Sequence, residues 1–123
     1  YASSSIDTFR GFMTVQTGID GKNRNQVLRL ISTELENIRL GKISELEIEQ
    51  TKAMLKNQYI LALDNAGAWL EKEYLNQLMP QTMLTAEEWI ARINAVTISE
   101  IQEVAKRLEL QAIFFLEGET END

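Results

Sequence analysis

Carboxylates are the side chains of this sequence that could take part in acid–base or metal chemistry. Three of them fall between Glu45 and Glu49 on a helical pattern among lysines, and Glu87 with Glu88 opens another helical segment. Nothing in this spacing predicts a desolvated cleft, so we interpret these carboxylates as a solvated face and helix caps. The tail from Glu117 to Asp123 lacks the alternating ligands and the closing bidentate glutamate of a calcium loop.

Histidine and cysteine are both absent from the sequence. Without imidazole or thiolate there is no Ser-His or Cys-His pair, no zinc site of nitrogen and sulfur ligands, and no general base with an unperturbed pKa near neutrality. Disulfides are excluded as well, which fits a reducing compartment, and we expect a cytoplasmic location. We therefore expect no catalytic residue, no metal ligand and no cofactor in this chain.

Composition bounds the remaining possibilities. The 123 residues, 44% hydrophobic and 25% charged, are typical of one globular domain. The formal net charge of -7 argues against nucleic acid and anionic membranes as partners, because both require a surplus of lysine and arginine. No apolar run approaches the roughly 18 residues of a membrane span.

The first 19 residues predict two strands. Residues Phe9 to Ile19 alternate between an apolar face and a polar face, which is typical of a strand with one buried face. The Ser5–Asp7 stretch is turn-like, so residues 1 to 19 favour two antiparallel neighbours. The first predicted strand begins at Tyr1 itself, so we expect that the chain starts inside a domain whose first strands are missing.

Helical periodicity follows. A helix capped at Asp20 or Asn23 is predicted to end at Gly41, with its apolar stripe formed by Val27, Ile31, Leu35 and Ile38. Capping boxes predict three further helix starts, at Ser44 with Glu47, Thr85 with Glu88, and Thr97 with Glu100. Weak helix formers between Asp64 and Gly67 divide the long segment after Ser44 into two helices, and Pro80 ends the second.

The fold class follows from the order of these elements. The final QAIFFLEG run is short, apolar and rich in large residues, which favours a buried strand. Grouped strands and helices indicate α+β, with several helices packed on one face of a small antiparallel sheet. We predict one domain over residues 1–117 and a disordered acidic tail over residues 118–123.

Several segments in this order resemble an insulinase/pitrilysin-type domain, the fold shared by mitochondrial processing peptidase and related bacterial proteins. In chain order they are FRGFMTVQTGID, LENIRLGKISELEIEQTKAMLKNQ, INAVTISEIQEVAKRL and IFFLEG. Each is common helix or strand chemistry by itself, whereas their order and spacing from Tyr1 to Gly118 make the match. The resemblance implies the C-terminal part of such a domain, from the half that lacks the zinc motif.

In this family a peptidase is a clamshell of two halves, each built from two similar α+β domains. The resemblance implies that zinc, held by an inverted H-x-x-E-H motif and a distal glutamate, belongs to the other half of the parent protein. It also implies that the C-terminal half supplies an arginine and a tyrosine, spaced R-x-x-x-x-x-x-Y, that bind the substrate backbone. Tyr1 is then a candidate for that tyrosine or for the residue beside it, and the arginine would precede it.

Phe12 is the second candidate substrate-binding residue. It is a large aromatic on a strand face that otherwise carries Arg10, Thr14 and Gln16, so we expect it to contact a partner outside this fragment. The resemblance implies that the partner is a peptide or protein substrate, a catalytic half or a sister domain. Missing first strands would also leave an exposed sheet edge, through which we expect self-association.

Two groups of residues have a simpler structural interpretation than binding. The helical aromatics Trp69, Tyr74 and Trp89 are interpreted as core or half-buried packing rather than a peptide-binding box. The strand-end glycines Gly11 and Gly18 are interpreted as bend or turn residues rather than substrate contacts.

Two classes of function remain open. The first is a non-catalytic domain of a processing-protease-like metallopeptidase homologue, forming part of a peptide-substrate chamber or the interface to a catalytic half. The second is a free-standing interaction or scaffold domain whose sheet edge recruits a partner strand. An H-x-x-E-H motif upstream of Tyr1 would make the parent protein an enzyme, and its absence would indicate an inactive homologue.

We predict that this chain does not bind zinc with high affinity and does not cleave peptides, because it offers oxygen ligands only. Calorimetric titration with zinc measures the first property, with a zinc-finger peptide as the positive control. A stoichiometric site tighter than about micromolar, on the scale of structural zinc sites, would contradict the prediction.

Overall fold

The computed structural model describes residues 1–79 and 84–118 of the chain. Its strands are β1 (Ala2–Asp7) and β2 (Phe12–Thr17), and a 3-10 turn (Gly21–Asn23) precedes the first helix. The helices are α1 (Arg24–Arg39), α2 (Glu45–Leu63), α3 (Ala66–Leu78), α4 (Ala86–Ala95) and α5 (Ile98–Lys106). A two-stranded antiparallel sheet accompanied by helices confirms the α+β class.

The described chain divides into two compact units. The hairpin unit contains Tyr1–Glu36 and the segment that starts at Glu109, and the helical unit contains Asn37–Leu108. The prediction of one domain over residues 1–117 stays a prediction. Of the predicted tail, Gly118 alone is among the described residues. Pro80, which was predicted to end a helix, lies outside them.

β1 and β2 form an antiparallel hairpin, as the sequence predicts, but the predicted turn at Ser5–Asp7 is wrong because these residues complete β1. The turn lies at residues 8–11. Gly11 adopts a φ of 69°, which a residue without Cβ reaches freely, and its amide donates to the Asp7 carbonyl at 2.8 Å. The Asp7 carboxylate also accepts bonds from the Arg10 amide at 2.8 Å and from its Nε at 2.9 Å. These bonds, the amide bond first, hold the pKa of Asp7 below its ordinary value.

The apolar face predicted for the strand Phe9 to Ile19 is not buried as expected. Phe9 lies in the turn and is exposed, and Val15 in β2 is exposed as well, whereas Met13 and Ile19 are half-buried. A two-stranded hairpin has too little surface of its own to bury a face, so burial would require other elements.

The start and end of α1 are set by local hydrogen bonds. The Asp20 side chain accepts a bond from the Lys22 amide and caps the 3-10 turn that leads into the helix. At the other end, Gly41 has a φ of 71°, its amide donates to Ile38, and the Lys42 amide donates to Asn37. This is the Schellman arrangement, in which glycine reverses the chain while the last helical carbonyls keep their partners.

The buried strand predicted for QAIFFLEG is wrong for this structure. Residues 111–118 form no strand, and Phe114 and Leu116 are 87% and 82% exposed. Phe115 alone is half-buried, with the Arg24 guanidinium 4.9 Å from its ring centroid. High strand propensity was not sufficient, because a strand requires a neighbouring backbone to pair with.

The long helical segment divides where the sequence predicts. α2 ends at Leu63 and α3 begins at Ala66, and the Asn65 side-chain oxygen accepts bonds from the Gly67 and Ala68 amides at 2.9 and 3.2 Å. Asn65 is therefore the N-cap of α3, a more specific cause of the break than weak helix propensity.

All three predicted capping boxes are present. The side chains of Ser44, Thr85 and Thr97 each accept a bond from the amide three residues later. Their own backbone amides donate to the carboxylate of the glutamate at that position. None of the helices in residues 1–79 and 84–118 combines the length and the apolar character needed to cross a membrane.

The helical unit is joined by a few specific contacts. The Arg39 guanidinium donates to the carbonyls of Ala105 at 3.1 Å and Leu108 at 2.6 Å, and Gln102 donates back to the Arg39 carbonyl at 2.8 Å. These bonds connect the end of α1 to α5. Across the described residues only Ile48 and Ala105 are buried, so side-chain caps and such bonds have a large share in defining the fold.

The capping boxes predict a pH dependence. The Ser44 amide and hydroxyl donate to Glu47, and the Thr97 amide and hydroxyl donate to Glu100, which lowers each glutamate pKa below its ordinary value of 4.5. A carboxyl whose folded-state pKa is lowered stabilises the fold above its unfolded pKa, and this contribution is lost as the pH falls through the folded value.

We therefore expect thermal stability to fall between pH 6 and pH 3, and to fall less in the Glu47→Gln/Glu100→Gln double variant, whose caps do not titrate. Melting followed by far-UV circular dichroism at both pH values measures this difference. Glu109→Gln, outside the helices, is the control variant. An equal loss in the wild type and the double variant would contradict the prediction.

Candidate functional site

The two candidate substrate-binding residues lie on the same face of the hairpin. Directly opposed residues of an antiparallel pair share a face, and Phe12 is opposite Asp7. The Tyr1 carbonyl accepts the Gly18 amide at 3.3 Å, which extends the ladder by one pair. Alternation along β1 then places Tyr1 on the face of Asp7, at the other end of the hairpin, about 20 Å from Phe12.

Polar side chains occupy this face between the two aromatics. We call it the polar hairpin face, formed by Tyr1, Ser3, Ser5, Asp7, Phe12, Thr14 and Gln16. Its hydroxyl and amide groups can both donate and accept hydrogen bonds. A surface of this length, with an aromatic at each end, has the dimensions of about six residues of extended peptide.

Tyr1 is 82% exposed, and hydrogen bonds to its carbonyl hold its backbone in place. Its carbonyl also accepts the Thr17 hydroxyl at 2.7 Å. The ring lies across Gly18, so closely that a Cβ at that position would overlap it. Gly18 is thus a close-approach residue for the tyrosine ring as well as the end of the hairpin.

Phe12 is 45% exposed, and part of its ring already has a partner within the chain. The Arg10 guanidinium lies 5.1 Å from the Phe12 ring centroid while Arg10 is also paired with Asp7. A partner outside the fragment would therefore contact only the part of the Phe12 ring that Arg10 leaves exposed. Because Arg10 is also paired with Asp7, its charge at this end of the polar hairpin face is balanced by the carboxylate.

The opposite face of the hairpin is more apolar. We call it the apolar hairpin face, formed by Ala2, Ser4, Ile6, Met13, Val15 and Thr17. Ile6 is 72% exposed and Val15 is exposed beside it, so apolar surface remains open here.

The ladder geometry also fixes which backbone groups are unpaired. The Gly18 amide donates to the Tyr1 carbonyl, so these two residues form a hydrogen-bonded pair. In an antiparallel ladder every second pair is of this kind, which makes Ser5 and Thr14 a hydrogen-bonded pair as well. The amides between them point away from the hairpin, Val15 in β2 and Ser4 in β1 included. Within the described residues no third strand pairs with the outer edge of β1 or of β2, so both edges are open to a strand from elsewhere.

A second cluster lies in the helical unit. The Tyr59 and Trp89 rings stack with their centroids 4.3 Å apart, and the Lys72 ammonium donates to the Tyr59 hydroxyl at 2.8 Å. We call Tyr59, Trp69, Lys72 and Trp89 the aromatic–lysine cluster. Packing is confirmed for Trp89, whereas Tyr74 is exposed and Trp69 is 49% exposed.

Sequence reasoning missed this cluster. Lys72 lies thirteen positions from Tyr59, on a different helix, and no local motif links them. One indirect signal was present in the sequence: both tryptophans of the chain fall after the helix break that the Asn65 cap defines.

Metal-binding geometry is not found in the part of the chain that the structure describes. No three acidic side chains come together there as ligands for an ion. The described carboxylates either cap helices, as Glu47 does, or pair with a nearby lysine or arginine, as Asp7, Glu49 and Glu103 do, or remain on the surface.

No protein-family model matches the chain. Over 118 residues it is 33% identical to "Probable inactive metalloprotease YmfF" of Bacillus subtilis (strain 168), a match that covers 96% of this chain and 28% of that protein. It is 25% identical to "Uncharacterized zinc protease YmxG" of the same organism, covering 88% of this chain and 26% of that protein. It is 27% identical to "Mitochondrial-processing peptidase subunit beta" of Saccharomyces cerevisiae, a match that covers 82% of this chain and 22% of that protein.

Among solved structures, the crystal structure of a conserved protein from Enterococcus faecalis V583 is similar to this one. The TM-score is 0.89 at 98% sequence identity, and the match covers all of this chain and 29% of that chain. The chain thus spans less than a third of each of these proteins. At modest identity to the curated relatives, it is an insulinase/pitrilysin-like segment, and the resemblance that its motifs predicted is confirmed.

Proposed function

We propose that the chain is a non-catalytic domain of a longer processing-protease-like metallopeptidase homologue, where it forms part of a peptide-substrate chamber. The observation that carries the proposal is the similarity along 96% of the chain to a protein named as an inactive metalloprotease. The absence of histidine and cysteine supports a non-catalytic role, since the chain offers no nitrogen or sulfur ligand for zinc. Zinc, if the longer protein is active, belongs to its catalytic half.

The two hairpin faces favour a division of roles. The polar hairpin face, with Tyr1 and Phe12 at its ends, would line the chamber and bind an extended peptide through its hydroxyl and amide groups. The apolar hairpin face, where Ile6 and Val15 are exposed, would contact the catalytic half or a sister domain. This assignment makes Phe12 a substrate contact and Ile6 an interface residue.

Site-specific photo-cross-linking tests the assignment in the longer polypeptide. We expect p-benzoylphenylalanine at position 12 to capture a biotinylated substrate peptide, because Phe12 would border the chamber. The same group at position 6, on the other face of the same strand pair, should instead link to the polypeptide itself. Peptide capture from position 6 and none from position 12 would contradict the proposal.

A second candidate function is a scaffold domain that recruits a partner strand, and the hairpin edge favours it. β2 contains no charged residue and no proline, which are two of the features with which proteins protect an edge strand. Its outward amides could pair with a strand of another chain, including a second copy. The outer edge of β1 contains no proline and has serines at three of its six positions, although Asp7 at its end is charged.

We expect this edge to produce self-association that Val15→Pro weakens, by about threefold to tenfold in dissociation constant for a lost donor. Light scattering over a dilution series measures it. Thr14→Pro is the matched control for damage to the hairpin, because the Thr14 amide faces Ser5 within the hairpin. Loss of that amide should disrupt the hairpin itself, and amide NMR spectra would show the disruption. Phe12→Asp probes the nearby polar hairpin face. A monomeric wild type at high concentration would exclude this role.

A further inference from the structure

Lys72 places its ammonium beside aromatic rings instead of a carboxylate. Its Nζ lies 5.1 Å from the Tyr59 ring centroid and 5.2 Å from that of Trp69, and it donates one bond to the Tyr59 hydroxyl. No ion pair joins Lys72 to a carboxylate within residues 1–79 and 84–118. Because an ammonium carries three donors, two remain for a ligand.

A small pocket adjoins this ammonium. Its volume is about 180 Å³, and its lining is Tyr59, Ala62, Leu63, Ala68, Trp69 and Lys72. Two of the lining residues, Ala62 at the end of α2 and Ala68 at the start of α3, have small side chains that leave space which larger side chains would fill. Apolar cavities of about 150 Å³ hold a benzene-sized ligand, so this pocket has room for one branched aliphatic side chain.

We propose that this pocket binds the C-terminal residue of a peptide that ends in a branched aliphatic side chain. The side chain enters the apolar pocket, and the terminal carboxylate accepts hydrogen bonds from Lys72. Charge complementarity argues for this occupant, because a half-buried cation without a carboxylate partner favours an anion. Because Lys72 itself lines the pocket, its ammonium is close to the entering side chain, and the proposal assigns the carboxylate to the same residue.

The site goes beyond the proposed function. It lies entirely within the helical unit, and binding there requires neither the polar hairpin face nor a catalytic half. A negative cross-linking result at Phe12 and a negative result at this pocket are therefore separate outcomes.

Intrinsic fluorescence reports on the site directly, because Trp69 and Trp89 are the two tryptophans of the chain and both belong to the aromatic–lysine cluster. The probe is N-acetyl-leucine, which combines an isobutyl side chain with a free carboxylate. Its neutral amide, N-acetyl-leucinamide, is the matched control. N-acetyl-leucyl-aspartamide moves the carboxylate to the next residue and tests the assignment to a C-terminus.

We expect a saturable fluorescence change with N-acetyl-leucine in the full 123-residue chain, and binding of the other two ligands that is about threefold to tenfold weaker. Lys72→Met should remove this selectivity because it keeps the aliphatic stem and removes the charge. Lys106→Met, at a lysine paired with Glu103 on α5, should leave it unchanged.

Ala68→Leu provides a second variant that removes no polar group. It fills the pocket and should weaken binding of all three ligands, while far-UV circular dichroism checks that the helices are retained. No saturable change with N-acetyl-leucine, equal affinity for acid and amide, or equal affinity for the aspartamide would each overturn the proposal. Unaltered binding in a folded Ala68→Leu variant would overturn it as well.

Discussion

Hydrogen bonds between a capping side chain and the first amides of a helix determine where the helical elements of this chain begin. Each cap leaves its own backbone extended and orients the following amides, so the direction of the chain changes there. The side chains that do this are Asp20, Ser44, Asn65, Thr85 and Thr97. The turn at Asn65 has the widest effect, because it brings the end of α2 and the start of α3 to either side of one pocket.

Local signals of this kind explain how much of the fold could be predicted from sequence. The capping boxes and the α2–α3 break were predictable because each involves residues within a few positions of one another. The hairpin turn was misplaced because it depends on Gly11 and on the bonds between Asp7 and Arg10, which the alternating pattern does not indicate. The C-terminal strand was wrong because propensity says nothing about the availability of a pairing partner.

The candidate sites divide in the same way. The alternating pattern of β2 already placed Phe12 among polar neighbours, but its relation to Tyr1 required the register of the hairpin, which a shift of one residue would have reversed. The aromatic–lysine cluster joins three helices, so its existence depends on packing and could not be read from any one segment. A local sequence pattern therefore indicates single residues, whereas their combination depends on how the helices pack.

The contact between Gly18 and the Tyr1 ring has a consequence for how this segment can vary among homologous proteins. Because the ring occupies the volume of a Cβ at position 18, the two positions are constrained jointly rather than independently. A homologue with alanine or a larger residue at position 18 must turn the aromatic ring away or replace it with a small side chain. An aromatic ring at position 1 is therefore expected to lie over position 18 only in homologues that keep glycine there.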